Sequence, residues 1–136
     1  MTFVVDASVA LAWCFEDEIT PFTEAMLERT RLNGAVVPVH WPLEMANALL
    51  IGERRQRLTE AKAASLAHIL GELPIAVDDG AISGALTAVL ALGRLHGLSA
   101  YDAAYLELAA REGLQLATRD ARLRDAAARV GVPLLA

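Results

Sequence analysis

Residues 2–9, TFVVDASV, are the stretch of sequence that decides the fold. The apolar, largely β-branched run from Thr2 to Val5 is typical of a short strand buried on both faces. Asp6 ends this strand, and a short helix is predicted from Ser8 to Phe15. A strand that leads at once into a helix is the beginning of a β–α unit, and the rest of the chain repeats that unit.

Short apolar strands alternate with longer helices along the whole chain. Further strands are predicted at 35–39, 73–77 and 114–118, with a last edge strand at 131–135. Helices are predicted at 20–32, 43–53, 59–70, from 81 to about 96, at 99–112 and at 120–129. This alternation predicts an α/β fold with a parallel sheet covered on both faces. The sequence contains no internal repeat and no linker, so a single domain over residues 1–136 is expected.

The composition limits the function classes that suit the chain. Its 136 residues are 55% apolar, and 12 basic residues against 17 acidic ones give a net charge of −5. This argues against a broad basic surface for nucleic acid, but it leaves room for local contacts through a metal ion and a few arginines. Cys14 is the only cysteine, which fits a reducing cytoplasm. The longest uncharged run, 80–93, is too short to cross a membrane, so no membrane partner is expected.

Four acidic residues lie where a parallel sheet would bring them together. Asp6 follows the first strand, Glu44 the second and Asp120 the fourth, while Asp102 lies at a helix start. The loops after parallel strands gather at one edge of the sheet, where such folds bind their ligands. Clustered carboxylates repel one another unless a cation neutralises them. Hard oxygen ligands without matching His or Cys point to Mg²⁺ or Mn²⁺.

Each of these acids also has a purely structural interpretation. All four lie at helix starts, where a carboxylate caps the helix or favours its dipole, and capping does not exclude metal binding. Asp78 and Asp79 also follow a strand, but they precede Gly80 and are interpreted as turn residues. The three histidines, which we interpret as surface or packing residues and not as zinc ligands, are His40, His68 and His96.

The acids occur within four segments that together resemble the motifs of the PIN-domain family. These segments are 3–9 (FVVDASV), 42–49 (PLEMANAL), 99–106 (SAYDAAYL) and 118–123 (TRDARL). They follow one another in the expected order and span nearly the whole chain. In size and motif style the chain looks most like the VapC-type toxins of toxin–antitoxin pairs.

The resemblance implies a three-layer α/β/α sandwich with a central parallel sheet of four or five strands, and a Mg²⁺- or Mn²⁺-dependent endoribonuclease activity. Asp6 and Asp102 would be the principal metal ligands, and Glu44 and Asp120 would complete the catalytic pocket directly or through water. The polar groups expected to orient these carboxylates are Ser8, Asn47 and Thr118. Arg119 and Arg122 are candidates for RNA binding.

The same resemblance implies two protein partners, a second copy in a homodimer and a cognate antitoxin. The antitoxin would cover the active-site groove, for which Trp13, Phe15 and Trp41 are candidate lining residues, although they also suit the core.

Other interpretations remain in competition. A haloacid-dehalogenase-type site needs a second aspartate where Ser8 stands. A receiver domain needs a lysine on a late strand, whereas the only lysine, Lys62, falls in a mid-chain helix. The main alternative is a non-catalytic PIN-like module whose acidic edge binds a basic partner peptide.

Overall fold

A parallel sheet of four strands forms the centre of the computed structural model, which describes residues 1–136. The strands lie in the order β3-β2-β1-β4. Their bounds are β1 Phe3–Val5, β2 Ala35–Pro38, β3 Ile75–Asp78 and β4 Leu116–Ala117. Strand β1 lies between β2 and β4. In the register of the sheet, Phe3 pairs with Ala35 of β2, and Val4 pairs with Leu116 of β4. Every residue of β1 is fully buried, which explains its uniformly apolar sequence.

Eight α-helices connect and cover the strands. They are α1 Ala7–Ala12, α2 Pro21–Asn33, α3 Trp41–Arg54, α4 Glu60–Glu72, α5 Ile82–Gly84, α6 Leu90–His96, α7 Ala100–Glu112 and α8 Ala121–Val130. A 3₁₀ turn, Glu16–Glu18, follows α1, and a π-helical segment, Ala85–Val89, joins α5 to α6. Side-chain oxygens of Thr20, Thr59, Ser99 and Asp120 cap α2, α4, α7 and α8. These short polar residues satisfy amide groups that the helix itself leaves unpaired.

The helices form two layers around the sheet, so the predicted α/β/α sandwich is confirmed. Helices α1 to α4 follow β1 and β2 and pack on one another, whereas α6 and α8 pack against α7. Helix α7 lies against β1 and β2 and buries Tyr105 and Leu106 completely. No single helix is long and apolar enough to span a membrane; Ile82–His96 and Ala100–Glu112 reach that length and composition only together, across a bend of 111°.

Two predicted elements differ from the structure. The expected edge strand at 131–135 is reduced to one bridge, between Leu134 and Leu116. Pro133 accepts a bond from the amide of Leu116 but has no N–H to donate, which limits the pairing. The long helix expected before His96 contains the π segment. The hydroxyl of Thr87 donates to the carbonyl oxygen of Ser83, four residues earlier, a bond that commonly distorts helices.

Candidate active site

Asp6 lies at the carboxyl end of β1 and is held through both of its carboxylate oxygens. The hydroxyl of Ser8 donates to Oδ1 at 2.6 Å, and the amide of Val9 donates to the same oxygen at 3.2 Å. The hydroxyl of Thr118, at the end of β4, donates to Oδ2 at 2.5 Å. The side chain is only 4% exposed. Burial raises the pKa of Asp6 to about 6, against the lowering effect of these hydrogen bonds, and the charge of Asp102 adds to the rise.

A second set of bonds joins the end of β4 to the start of α1. The amide of Asp120 donates to the hydroxyl of Thr118 at 3.0 Å, and the amide of Arg119 donates to the hydroxyl of Ser8 at 3.0 Å. The guanidinium of Arg119 donates to the carbonyl oxygen of Ser8 at 2.9 Å and to Glu18 at 3.1 Å. Arg119, which the sequence suggests for RNA binding, therefore has its side chain engaged within the protein.

Asp120 caps α8 and still keeps one carboxylate oxygen free. Its Oδ1 accepts hydrogen bonds from the amides of Arg122 and Leu123, at 2.8 and 3.3 Å. Its Oδ2 accepts none from the protein. Capping and a chemical role are therefore compatible at this residue, because each can use a different oxygen.

Asp102 lies in the first turn of α7 and experiences the charges of the other acids. Its amide donates to the hydroxyl of Ser99 at 3.1 Å, which caps the helix. Burial raises the pKa of Asp102, and the charges of Asp120 and Glu44 raise it further, with opposition from Ser99 and His40. Together with the effect of Asp102 on Asp6, these interactions show that all four sequence-predicted acids share one electrostatic environment. We call Asp6, Glu44, Asp102 and Asp120 the acid cluster.

Glu44, in the first turn of α3, is held by two residues that the sequence does not single out. The hydroxyl of Tyr105 donates to Oε1 of Glu44 at 2.5 Å, and Nε2 of His40 lies 3.2 Å from the same oxygen. Nε2 of His40 also lies 3.1 Å from the carbonyl oxygen of Tyr101. Since both neighbours are acceptors, Nε2 carries a hydrogen. Burial and the bond to Glu44 raise the pKa of Tyr105 well above its usual range, so its hydroxyl remains a donor.

Signals for these two residues exist in the sequence. Tyr105 lies three positions after Asp102, and His40 lies four before Glu44, spacings that put side chains on one side of a helix. His40 was expected to be a surface or packing residue. Its ring does pack against Tyr101 and Tyr105, but it also contacts the acid cluster.

Several other residues that the sequence analysis names lie apart from this chemistry. Asn47 is exposed and makes no hydrogen bond to a carboxylate. Asp78 is paired with Arg111 at 2.7 Å. Cys14 is buried, which raises its pKa to about 11 and makes it a poor nucleophile. The indole of Trp13 donates to the carbonyl oxygen of Thr23 at 2.8 Å.

The donor set of the acid cluster suits a hard divalent cation. No three side chains of His, Cys, Asp or Glu stand close enough together to bind a metal ion directly. Mg²⁺, however, is commonly bound by one or two carboxylates and several waters. Asp6 and Asp102 have raised pKa values because burial and neighbouring negative charges disfavour their ionised forms. A bound cation would reverse that effect, so the residues fit such a group.

Comparison with known proteins identifies relatives of this chain. The sequence profile described as the PIN domain matches residues 3–129. Ribonuclease VapC3 of Pyrobaculum aerophilum is 32% identical over 126 residues, which are 92% of this chain and 94% of that relative.

Solved structures show the same fold. PAE2754 from Pyrobaculum aerophilum superposes with a TM-score of 0.69 at 25% identity, covering 93% of this chain and 79% of the other. FitAcB from Neisseria gonorrhoeae has a TM-score of 0.69 at 18% identity and covers 100% of this chain and 97% of its own. VapC20 from Mycobacterium tuberculosis, a sarcin–ricin loop cleaving toxin, has a TM-score of 0.64 at 18% identity, with coverages of 93% and 95%.

Proposed function

Because this chain belongs to the PIN-domain family, we propose that it is an endoribonuclease that hydrolyses RNA phosphodiester bonds with Mg²⁺ or Mn²⁺ bound at the acid cluster. The observation that carries the proposal is the convergence of four acids from distant parts of the sequence, two of them with raised pKa values. The relative at 32% identity is named a ribonuclease, which supports RNA as the substrate.

The residues of the site suggest a division of roles. Asp6 and Asp102 are the ligands that we expect to contact the metal, and Glu44 and Asp120 act directly or through water. When bound, the cation supplies an activated water and stabilises the charge that develops on the phosphate oxygens. Ser8 and Thr118 keep Asp6 in one orientation. The free Oδ2 of Asp120 can accept a proton from the attacking water.

Tyr105 and His40 contact Glu44 and hold its carboxylate in place, a role that the family motifs do not predict for them. Both contact Oε1, so Oε2 is the oxygen that remains available to a metal-bound water. Polar groups around a metal site usually orient its ligands in this way. Arg122, which makes no ion pair with an acid, remains a candidate for contact with RNA phosphate.

We further propose that the chain acts as the toxin of a toxin–antitoxin pair in the cytoplasm. An apolar groove of about 530 Å³ lies between α3 and α4. We propose that it binds a segment of the antitoxin. Trp41, Leu49 and Leu70 line this groove, and the indole N–H of Trp41 has no partner. The groove begins at the same end of α3 as Glu44, so a bound segment would lie close to the acid cluster.

A homodimer is the second assembly that we propose. The large apolar side chains that the segment from α5 to α6 exposes include Ile82, Leu86 and Leu90, at 82%, 67% and 45%. These three recur every four residues and therefore lie along one side of the helical segment. Apolar side chains arranged in this way are typical of contacts between subunits.

The nuclease proposal is tested with purified protein and a set of structured RNAs, in Mg²⁺, Mn²⁺ or EDTA. Asp6→Asn and Asp102→Asn should each lower the cleavage rate by at least about 100-fold. Asp79→Asn is the matched control, because Asp79 is exposed and outside the cluster. We expect it to cleave like the unaltered protein. Cleavage that persists in EDTA or in both cluster variants would contradict the proposal. No cleavage and no metal binding by calorimetry would favour a binding module for a basic peptide.

A further inference from the structure

A polar pocket of about 380 Å³ lies against α8, the helix that Asp120 caps. Its lining residues are His96, Gly97, Arg122, Asp125, Ala126 and Arg129, and we call it the α8 pocket. Helix α8 begins immediately after Asp120, so Arg122 lies in its first turn. Arg129 lies seven residues later, about 10 Å along the helix axis. The pocket therefore extends away from the acid cluster along one side of α8.

The two arginines of the α8 pocket are not paired with acids, unlike three arginines elsewhere in the fold. Arg57, Arg111 and Arg119 are each paired with acids at 3.3 Å or less. Arg122 and Arg129 form no ion pair. Free guanidinium groups are the groups that bind phosphate in bidentate fashion.

Asp125 is the single acid of the α8 pocket, and it lies between the two arginines on the same side of the helix. One carboxylate can neutralise one guanidinium but not both. The side chains of the pocket therefore carry a net positive charge, although the whole chain has a net charge of −5.

His96, which lines the α8 pocket, has hydrogen-bonding atoms that the protein leaves unused. Both of its ring nitrogens are shielded from solvent, and neither has a hydrogen-bond partner in the protein. Shielded polar atoms of this kind nearly always have a partner. A His96 ring turned toward the pocket would donate its N–H to a phosphate oxygen there, and the arginines would supply the balancing charge.

We propose that the α8 pocket binds a backbone phosphate of the RNA, one that neighbours the phosphate being cut. The proposal rests on the nuclease function proposed above and adds a second contact with its substrate. A strand whose scissile phosphate lies at the acid cluster meets Arg122 first and Arg129 farther along α8. The pocket thus fixes which way the strand runs away from the cut, through contacts that carry no base sequence.

The test measures binding of a fluorescein-labelled single-stranded RNA in EDTA, by anisotropy at several salt concentrations. Arg129→Gln and His96→Gln are compared with Arg31→Gln, a control with the same loss of charge as the first. Arg31 is exposed in the last turn of α2 and does not line the α8 pocket. We expect Arg129→Gln to weaken binding roughly tenfold and to reduce the salt slope by about 0.7, the change for one phosphate contact on a single strand.

The outcomes separate this proposal from the nuclease function. If Arg129→Gln and His96→Gln bind RNA like Arg31→Gln while metal-dependent cleavage is intact, the α8 pocket is not a phosphate site and the nuclease proposal stands. A second measurement titrates inorganic phosphate and follows the ring signals of His96 by NMR. Saturable shifts that Arg129→Gln abolishes would support the pocket. Unchanged His96 signals in the folded protein would overturn it.

Discussion

Asp6 belongs to the acid cluster and lies in a buried environment that disfavours its ionised form. It is the one acid that is almost fully buried, and its pKa of about 6 lies above the ordinary value of 3.8. Between about pH 4 and 6 the folded protein therefore keeps a proton that the unfolded chain has lost. The contribution of Asp6 to stability falls as the pH rises through this window. Since one pKa unit corresponds to about 1.4 kcal/mol, the ionised carboxylate destabilises the metal-free fold by about 3 kcal/mol near pH 7.

Replacing Asp6 by asparagine should remove this pH dependence. Asparagine can still cap α1 and accept the hydrogen bond that the hydroxyl of Ser8 donates, but it carries no charge. We expect Asp6→Asn to be more stable than the unaltered protein by up to about 3 kcal/mol near pH 7, with the difference closing near pH 4. Chemical denaturation in EDTA at both pH values measures it. Equal stability of the two proteins at neutral pH would show that Asp6 is not desolvated as described.

Tyr105 should affect catalysis through Glu44 and not through contact with the substrate. Tyr105→Phe preserves the buried ring and removes only the hydroxyl that donates to Oε1 of Glu44. We expect a 10–100-fold loss of metal affinity or cleavage rate, which is typical of groups that orient metal ligands. Calorimetric titration with Mn²⁺ and a cleavage assay measure these quantities. A variant whose metal affinity and rate both match the unaltered protein would exclude a positioning role.

At the scale of elements, Asp120 caps α8 and belongs to the acid cluster, and two substitutions separate the cap from the proposed chemical role. Asn caps helices about as well as Asp, whereas Ala removes the cap at a cost of about 1 kcal/mol. We expect Asp120→Asn to keep the stability of the fold and lose cleavage, and Asp120→Ala to lose both. Thermal unfolding and the RNA assay provide the two readouts. Full cleavage by Asp120→Asn would indicate that Asp120 is only a cap.

The sequence predicts the elements well where the pattern is local, and less well where pairing or competing bonds decide. The strand at Val4 and the helix starts at Ser99 and Asp120 depend on nearby residues, so their signals survive in the sequence. The extent of β4 depends on which partner strand Leu116 finds, and Pro133 limits that partner. The π segment depends on one hydroxyl bond, that of Thr87.

The same contrast holds for the acid cluster. Parallel strands bring their carboxyl ends to one edge whatever the side chains are, so the convergence of the acids follows from the fold class. The bond from Tyr105 to Glu44 spans 61 positions and depends on how α7 lies across the sheet. No periodicity in the sequence encodes that orientation. The bond that Arg119 donates to Glu18, which engages its side chain within the protein, is likewise a consequence of tertiary packing.

At the scale of the whole molecule, we expect the exposed apolar side chains of the segment from α5 to α6 to form the contact of the proposed dimer. We expect Leu86→Arg to convert a dimer into a monomer, because a charge in an apolar contact is strongly unfavourable. Leu32→Arg is the control, since Leu32 is 74% exposed on α2, outside that segment. Sedimentation velocity measures the mass. If Leu86→Arg sediments like Leu32→Arg, the segment is not the subunit contact.

The pairing of β1 with β4 has a consequence for the time course of folding. Val4 must find Leu116, and the bond from Thr118 to Asp6 joins residues 112 positions apart. Contacts so distant in sequence form slowly, because a long loop must close before they add stability. In a refolding experiment, helix signals should recover first and RNA cleavage only with the slowest phase. We therefore expect a period during refolding in which most of the structure is present and the acid cluster is not yet assembled.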